Sequence, residues 1–327
     1  FNTEESSNIG FSKLSTVSIS IWPFSNSHSP SLVSFLSNNR SVCSAQALWL
    51  IGTYAALPDC QAAATAPKIK VGQIGTKHAH ASGKVGTARK FPELYDVVGV
   101  VEPDDTQWNR VKNTVPYKGL PRMTREQLLN VEGLQFICVE TEVKNLINTA
   151  QACVSAGKHI HLDKPAGINY SGFEKVVQTA KKNNVLIQMG YMFRYNPGFQ
   201  FIFRSIREGL LGDIFEVDGV ISKKVGDSTR KQLAKYAGGT MFELGCHLID
   251  SLHVAMGTPE RVSAFPRTTY PEKDSLVDNM LAVFERRCGV LLRCIVNQTT
   301  QDHLRSLRVF LNDLGGGAYV MLWLRSV

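Results

Sequence analysis

From residue 68 onward, apolar and polar positions alternate between short continuous apolar runs and longer stretches of helical period. Val97 to Val101 and Phe136 to Val139 are runs of the first kind; Ile69 to Ile74, His159 to Leu162 and Val185 to Met189 are mainly apolar stretches broken by Lys70, Gln73, the histidines or Gln188, and all five read as strands of a buried sheet. Between them lie periodic stretches. One carries Val85, Ala88 and Phe91, a short one covers Arg125 to Asn130, and Asn145 to Ala156 puts Ile147, Ala150 and Val154 on one face. Ser171 and Glu174 have capping-box spacing ahead of a helix with Phe173, Val176, Val177 and Ala180 inward. Strands alternating with helices predict an α/β domain with a parallel sheet over residues 68–192.

The pattern changes after residue 193. Asn196 and Pro197 read as the cap and first residue of a helix that Gly209 ends. Ile214 to Ser222 then alternates in strand fashion and leads into the polar loop Lys223 to Asp227. Val262 to Phe265, Asn279 to Phe284, Val290 to Asn297 and a strand starting at Arg308 follow, which predicts an α+β domain over 193–327 with an open, mainly antiparallel sheet. Leu314-Gly315-Gly316-Gly317 interrupts that series. The sheet therefore reads as truncated at the carboxyl end, with an exposed edge after Phe310.

Residues 1–67 carry no helix or strand period by this reading. Residues 1–44 include fourteen serines, Ala45 to Leu57 is mildly apolar, and Gln61 to Ala66 is Ala-rich, an order similar to a signal peptide cleaved at Ala64 or Ala66. A leader and export are favoured over a cytoplasmic location, with a disordered linker as the alternative. No apolar run is long enough to span a bilayer, so no membrane partner is expected.

Composition narrows the class. A chain of 327 residues can bury two cores, and 43% hydrophobic with 20% charged residues is ordinary for a globular protein. The net charge of +8 is spread along the chain with no basic run, which argues against a nucleic-acid partner. Seven cysteines, an odd number without CxxC spacing, read as core thiols and not as disulfides or a zinc site.

The candidate chemistry lies at strand ends. Gly75-Thr76-Lys77-His78-Ala79-His80 follows the first strand where a dinucleotide turn wants three glycines; only the first is present, with Lys77 and His80 in the other two places. The His78 and His80 pair would suggest a metal given further ligands at tight spacing; without them no metal is expected, and loop or phosphate contacts are. Glu102 ends the second strand at the interval where a carboxylate takes ribose hydroxyls and repels a 2′-phosphate; a solvated turn acid is the alternative. Gly157 reads as the residue just past a helix end, and the strand after it delivers Asp163-Lys164-Pro165 at its carboxyl tip. Glu243, His247 and Asp250 fall at i, i+4 and i+7, one polar stripe on an otherwise apolar helix.

Gly157-Lys158-His159 with Asp163-Lys164-Pro165 resembles the Glu-Lys-Pro signature of the Gfo/Idh/MocA family, the glucose-fructose oxidoreductase and inositol dehydrogenase type. The resemblance covers roughly Lys68 to Val309. It implies a Rossmann domain binding NAD, with NADP disfavoured by Glu102, and contacts to the dinucleotide from Gly75, Thr76, Lys77, His78, Glu102, the loop Glu140-Thr141-Glu142, Asp163 and Lys164. It further implies that His247 is the base acting on a substrate hydroxyl, that Lys164 steadies the same oxygen, and that Glu243, where the family has Asp, orients the imidazole. Arg194, Lys223 and Asp250 would join Lys164 and His247 around a sugar or polyol. The family's second sheet mediates self-association, so a homo-oligomer is implied. Two other readings stay open, a nucleotide-binding module without turnover and an NAD-assisted hydrolase or lyase.

Overall fold

The computed structural model describes residues 16–23, 67–287, 289–297, 305–312 and 318–325. In chain order the strands and helices are β1 (Thr16–Pro23), β2 (Ile69–Ile74), α1 (Ala81–Lys90), β3 (Tyr95–Val101), α2 (Asp105–Val111), β4 (Arg122–Met123), α3 (Arg125–Leu129), β5 (Leu134–Val139), α4 (Val143–Ser155), β6 (His159–Leu162), α5 (Tyr170–Lys182) and β7 (Ile187–Met189). They continue with α6 (Pro197–Arg207), β8 (Asp213–Ser222), α7 (Asp227–Leu233), α8 (Cys246–Met256), β9 (Arg261–Arg267), β10 (Asn279–Glu285), β11 (Leu291–Asn297), β12 (Arg305–Asn312) and β13 (Ala318–Arg325).

The first sheet has the order β4-β3-β2-β5-β6-β7, and its strands pair in parallel throughout. One face of its centre is apolar, with Ile137, Val139, Ile160 and Leu162 buried against Leu146, Ala150 and Val154 of α4 and Val176 of α5, while Gln73, Glu140 and His161 are buried polar side chains. At roughly 1.5–3 kcal/mol for each fully buried large aliphatic side chain, this layer fixes the strand register. Chain order runs outward from β2 in both directions. The crevice at the carboxyl ends of β2 and β5 is therefore the switch point at which open α/β sheets take ligands. Two local expectations change. The α5 helix is capped by Asn169, which accepts from Gly172 N–H at 3.0 Å, so the cap lies two residues before the Ser171 box. Phe91 follows α1 as an exposed residue and does not point inward.

The second sheet has the order β1-β13-β12-β8-β11-β10-β9 and is antiparallel except where β11 runs parallel to β8. One face holds Val217, Ile221, Ala282, Leu292, Val296, Leu307 and Val309, packed with Phe199, Ile202 and Phe203 of α6 and Leu248 and Leu252 of α8. Beyond β12 the sheet differs from expectation. β13 pairs with β12 and β1 pairs with β13, so the edge anticipated after Phe310 is covered. β1 comes from the stretch read as a leader; Val17, Ile19 and Ile21 alternate there with Ser18 and Ser20, a strand pattern that the surrounding serines obscured. The proposed signal segment, Ala45 to Ala66, lies outside the described residues. α7 was not anticipated in the polar loop. Its buried Arg230 is bonded to Asp274 and Asp278, an attraction with no local signature in the sequence.

Four described cysteines, Cys138, Cys153, Cys246 and Cys294, are free, and burial pushes each thiol up to about 12. Thiols held in that state are poor nucleophiles and weak metal ligands. Among the described residues no helix is long and apolar enough to cross a membrane.

Candidate active site

A cleft of about 730 Å³ opens at the switch point, lined by Gly75, Lys77, Glu102, Arg122, Thr141 and Glu142 among others. Gly75 turns the chain at φ +91°, and a Cβ there would stand 2.7 Å from the Glu140 carbonyl, so both dihedral and space demand glycine. The two missing glycines are offset by side-chain bonds. Glu102 Oε2 accepts from Thr76 N–H at 3.1 Å and from Thr76 Oγ1 at 2.7 Å, while its Oε1 accepts from Asp104 N–H at 3.1 Å. Gln107 of α2 donates Nε2–H to Thr76 Oγ1 at 2.9 Å and to Thr76 O at 3.1 Å. Glu102 thus lies on the cleft wall with its carboxylate turned into the loop, where the sequence had it facing a ribose. Lys77 pairs with Asp104 at 2.8 Å, and Lys77, Arg122 and Arg125 bring cationic groups to the lining. A switch-point cleft of this size with cations along it suits a dinucleotide.

Thr76, His78, Glu140, Asp163 and Lys164, also expected at the cofactor, stand outside that lining. Asp163 is 0% exposed, and His80 Nδ1 lies 3.1 Å from each of its oxygens. His78 Nδ1 is 3.4 Å from Asp163 Oδ2 and 3.6 Å from Glu140 Oε2. Burial, with Asp163 beside it, pushes the Glu140 carboxyl up to about 9. For Asp163 burial acts in the same upward direction, but His80 and His78 outweigh it and hold the group below the usual carboxylate range. Burial likewise lowers His78 and takes His161 down to about 4, so both rings favour the neutral form.

Lys164 is placed by what precedes it. α4 ends with Gly157 at φ +69°, its N–H on Val154 O at 3.1 Å and that of Lys158 on Cys153 O at 3.1 Å, a Schellman end that aims the chain into β6. β6 carries Asp163 and Lys164 to the sheet's carboxyl edge, where the Lys164–Pro165 peptide is cis. The Lys164 side chain is 2% exposed, and Nζ donates to Glu243 Oε1 at 2.8 Å and to the Glu243 carbonyl at 2.9 Å.

Glu243 sits in a single π-type turn, Met241–Gly245, directly before α8. The i, i+4 stripe is therefore not one regular helix. Its acid meets the Lys164 ammonium, a lysine-anchoring contact that the sequence did not anticipate. His247, in the first turn of α8, is buried with its ring 5.4 Å from Phe193 and 6.2 Å, edge to face, from Tyr191. Asp250 and Arg194, both expected at the substrate, bind each other: Nε lies 2.9 and 3.0 Å from the two carboxylate oxygens and Nη2 2.7 Å from Oδ1. Lys223 is exposed just after β8. Sequence reasoning missed Arg122, Gln107 and His161. The last could have been found, since His161 and Glu140 fall on the same face of adjacent strands once Cys138 is set opposite His161.

Residues 69–191 match the family description "Oxidoreductase family, NAD-binding Rossmann fold", and residues 199–313 match "GFO/IDH/MocA C-terminal domain". A scyllo-inositol 2-dehydrogenase (NADP(+)) of Bacillus subtilis is 27% identical over 141 residues, which are 42% of this chain and 39% of that protein. A trans-1,2-dihydrobenzene-1,2-diol dehydrogenase of Sus scrofa is 23% identical over 158 residues, 48% of this chain and 47% of that one. The matched stretch is thus less than half the length of either relative. Among solved structures, the WlbA dehydrogenase of Bordetella pertussis in complex with NADH and UDP-GlcNAcA superposes with a TM-score of 0.67 at 17% identity, covering 75% of this chain and 72% of that one. Myo-inositol 2-dehydrogenase of Lactobacillus plantarum gives 0.65 at 16% identity, covering 78% and 76%. These likenesses establish the shared fold, a parallel nucleotide-binding sheet followed by a mixed sheet. With both of its domains matched in the same order along the sequence, the chain belongs to the Gfo/Idh/MocA oxidoreductase family.

Proposed function

We propose that this protein exchanges a hydride between NAD and a hydroxyl-bearing carbon of a sugar or polyol. The observation that carries the reading is Lys164, an ammonium 2% exposed at the carboxyl end of β6, with two donors on Glu243 and a third available to a substrate oxygen. Bound in the cleft, the nicotinamide would accept or return the hydride. His247 takes the hydroxyl proton during oxidation and gives it back in reduction. Lys164 steadies the negative charge gathering on that oxygen, and Glu243 holds the ammonium in place. Arg194 and Asp250, locked together, form a rigid wall for substrate hydroxyls, and Lys223 keeps its assignment to the substrate from the family resemblance. Self-association through the second sheet belongs to the same reading; Val262 and Phe265 of β9 stand exposed for it.

Incubation with NAD and a panel of polyols and sugars tests the proposal, since accumulating reduced nicotinamide absorbance separates turnover from mere binding. His247→Asn should lower oxidation by about a hundredfold or more and abolish the rise of rate with pH, because only the neutral ring accepts a proton. Survival of that rising limb would pass the base role to another group.

NAD is the expected cofactor. Although its oxygens are bonded to Thr76 and Asp104, Glu102 keeps a carboxylate in the cleft lining, and like charge there opposes a 2′-phosphate. NAD should bind about tenfold tighter than NADP in calorimetry, and Glu102→Gln should narrow the gap. Equal or tighter NADP binding by the unmodified protein would overturn the assignment.

A further inference from the structure

His78 and His80 on the loop after β2, Glu140 after β5, and His161 and Asp163 at the end of β6 converge at the carboxyl edge of the first sheet. Ligand atoms of His78, His80 and Asp163 all lie within 4.8 Å of one another, as do those of Glu140, His161 and Asp163. Asp163 joins the two sets. Glu140 is 0% exposed, and its carboxylate oxygens meet no hydrogen-bond donor group among the described residues except the neighbouring Asp163 carboxyl, with which they can share a proton. A carboxyl group buried in that way needs a cation or a proton to meet it.

The histidines carry the argument further. His78 Nε2 lies 3.2 Å from the Lys164 carbonyl, which can only accept, so that nitrogen holds the proton and Nδ1 has its lone pair bare. Apart from a long 3.3 Å bond from His80 N–H, this lone pair faces the oxygens of Asp163 and Glu140. An imidazole whose far N–H is tied to a backbone carbonyl while its near nitrogen faces carboxylates is arranged as a metal-bound histidine is. The spacing agrees: metal bonds of about 2.0–2.2 Å in tetrahedral geometry put ligand atoms roughly 3.4 Å apart. Here the separations are 3.1 Å for His80 to Asp163, 3.4 Å for His78 to Asp163 and 3.6 Å for His78 to Glu140. His80, with its side chain 44% exposed, gives an ion a way in.

We propose that this cluster binds one divalent transition-metal ion through His78 Nδ1, His80 Nδ1 and the Asp163 carboxylate, with the Glu140 carboxylate, 3.6 Å from His78 Nδ1, beside them. His161 Nε2, 3.9 Å from Glu140 Oε1, stands behind the last of these. Mixed imidazole and carboxylate ligands favour zinc, cobalt, iron or manganese over magnesium or calcium. The ion ties the glycine turn to the end of β6. The sequence reading expected no metal because the ligand completing the histidine pair lies 83 positions beyond His80.

The site does not depend on the oxidoreductase reading, so it is tested on the whole chain without nucleotide or substrate. After treatment with a chelator, titration with Zn²⁺ in a calorimeter should show one saturable equivalent, and Co²⁺ should give absorption bands of a four- or five-coordinate site. Zn²⁺ should also raise the melting temperature. His80→Ala and Asp163→Asn should each weaken binding at least tenfold, while His253→Ala, an exposed histidine on α8, should bind as the unmodified chain does. His80→Ala removes a part-exposed ring and is expected to fold, so it decides the matter if Asp163→Asn does not. Absence of a saturable equivalent, or unchanged binding in His80→Ala, would overturn the proposal and leave Glu140 and Asp163 sharing a proton in place of a metal.

Discussion

Lys164→Met should lower turnover by about 10²- to 10³-fold while the dinucleotide still binds, because the charge that Lys164 stabilises appears mainly in the transition state. Met keeps the length of the side chain and removes the ammonium, and Lys164→Ala should behave alike. The loss should fall on kcat more than on KM. Misfolding is not expected to explain it, since the Glu243 side chain is 27% exposed and can turn to water once its partner is gone. Calorimetry with NAD, set beside turnover on any substrate that the polyol screen finds, checks both halves. Near-normal turnover in either variant would make the β6 tip a structural feature and sink the mechanism.

The second large effect is on stability. Arg230→Met should destabilise the fold by about 3–5 kcal/mol, the range for removing one partner of a buried ion pair. Arg230 donates Nη1–H to Asp278 at 2.9 Å and spans Asp274 through Nε at 2.8 Å and Nη2 at 2.9 Å, which fastens α7 to the segment leading into β10. Asp278 is 0% exposed and also accepts from Thr269 N–H at 2.8 Å, so without the guanidinium a charge is left buried. In urea unfolding the midpoint should fall with the slope unchanged. Adding Asp278→Asn to Arg230→Met removes the stranded charge and should recover part of the loss. An Arg230→Met protein as stable as the unmodified chain would mean that the carboxylates find water.

What could be read from the chain was local. β2 and β6 fall where the short strand stretches before Gly75 and after Gly157 put them, the Asn196-Pro197 start of α6 where its cap residues put it, and Gly157 where a helix end needs φ above zero. Each depends on residues a few positions apart. The side-chain partnerships were hidden for the opposite reason: Lys164 meets Glu243 across 79 positions, Arg194 meets Asp250 across 56, and His80 meets Asp163 across 83. An acid or a histidine carries no mark of its distant partner in a single sequence. Family resemblance identified Lys164 and His247 as residues of interest, but it could not foresee that Glu243 would bond to the lysine. β1 was obscured differently, its alternation sitting among serines that elsewhere in the segment signal no structure.

The turn at Met241–Gly245 acts as a phase shifter between two halves of one helical run. An α-helix advances about 100° per residue, so one residue gained or lost re-aims everything on one side of it relative to the other. With that widened turn, Glu243 is delivered to Lys164 while His247 stays packed against Phe193. Regular winding through the same residues would swing the acid by about a residue's worth of rotation. Gly245 leaves room for the Met241 side chain, which a Cβ there would force to shift. Two catalytic candidates four residues apart can therefore serve different neighbours, and the angle between them depends on how many residues the turn contains.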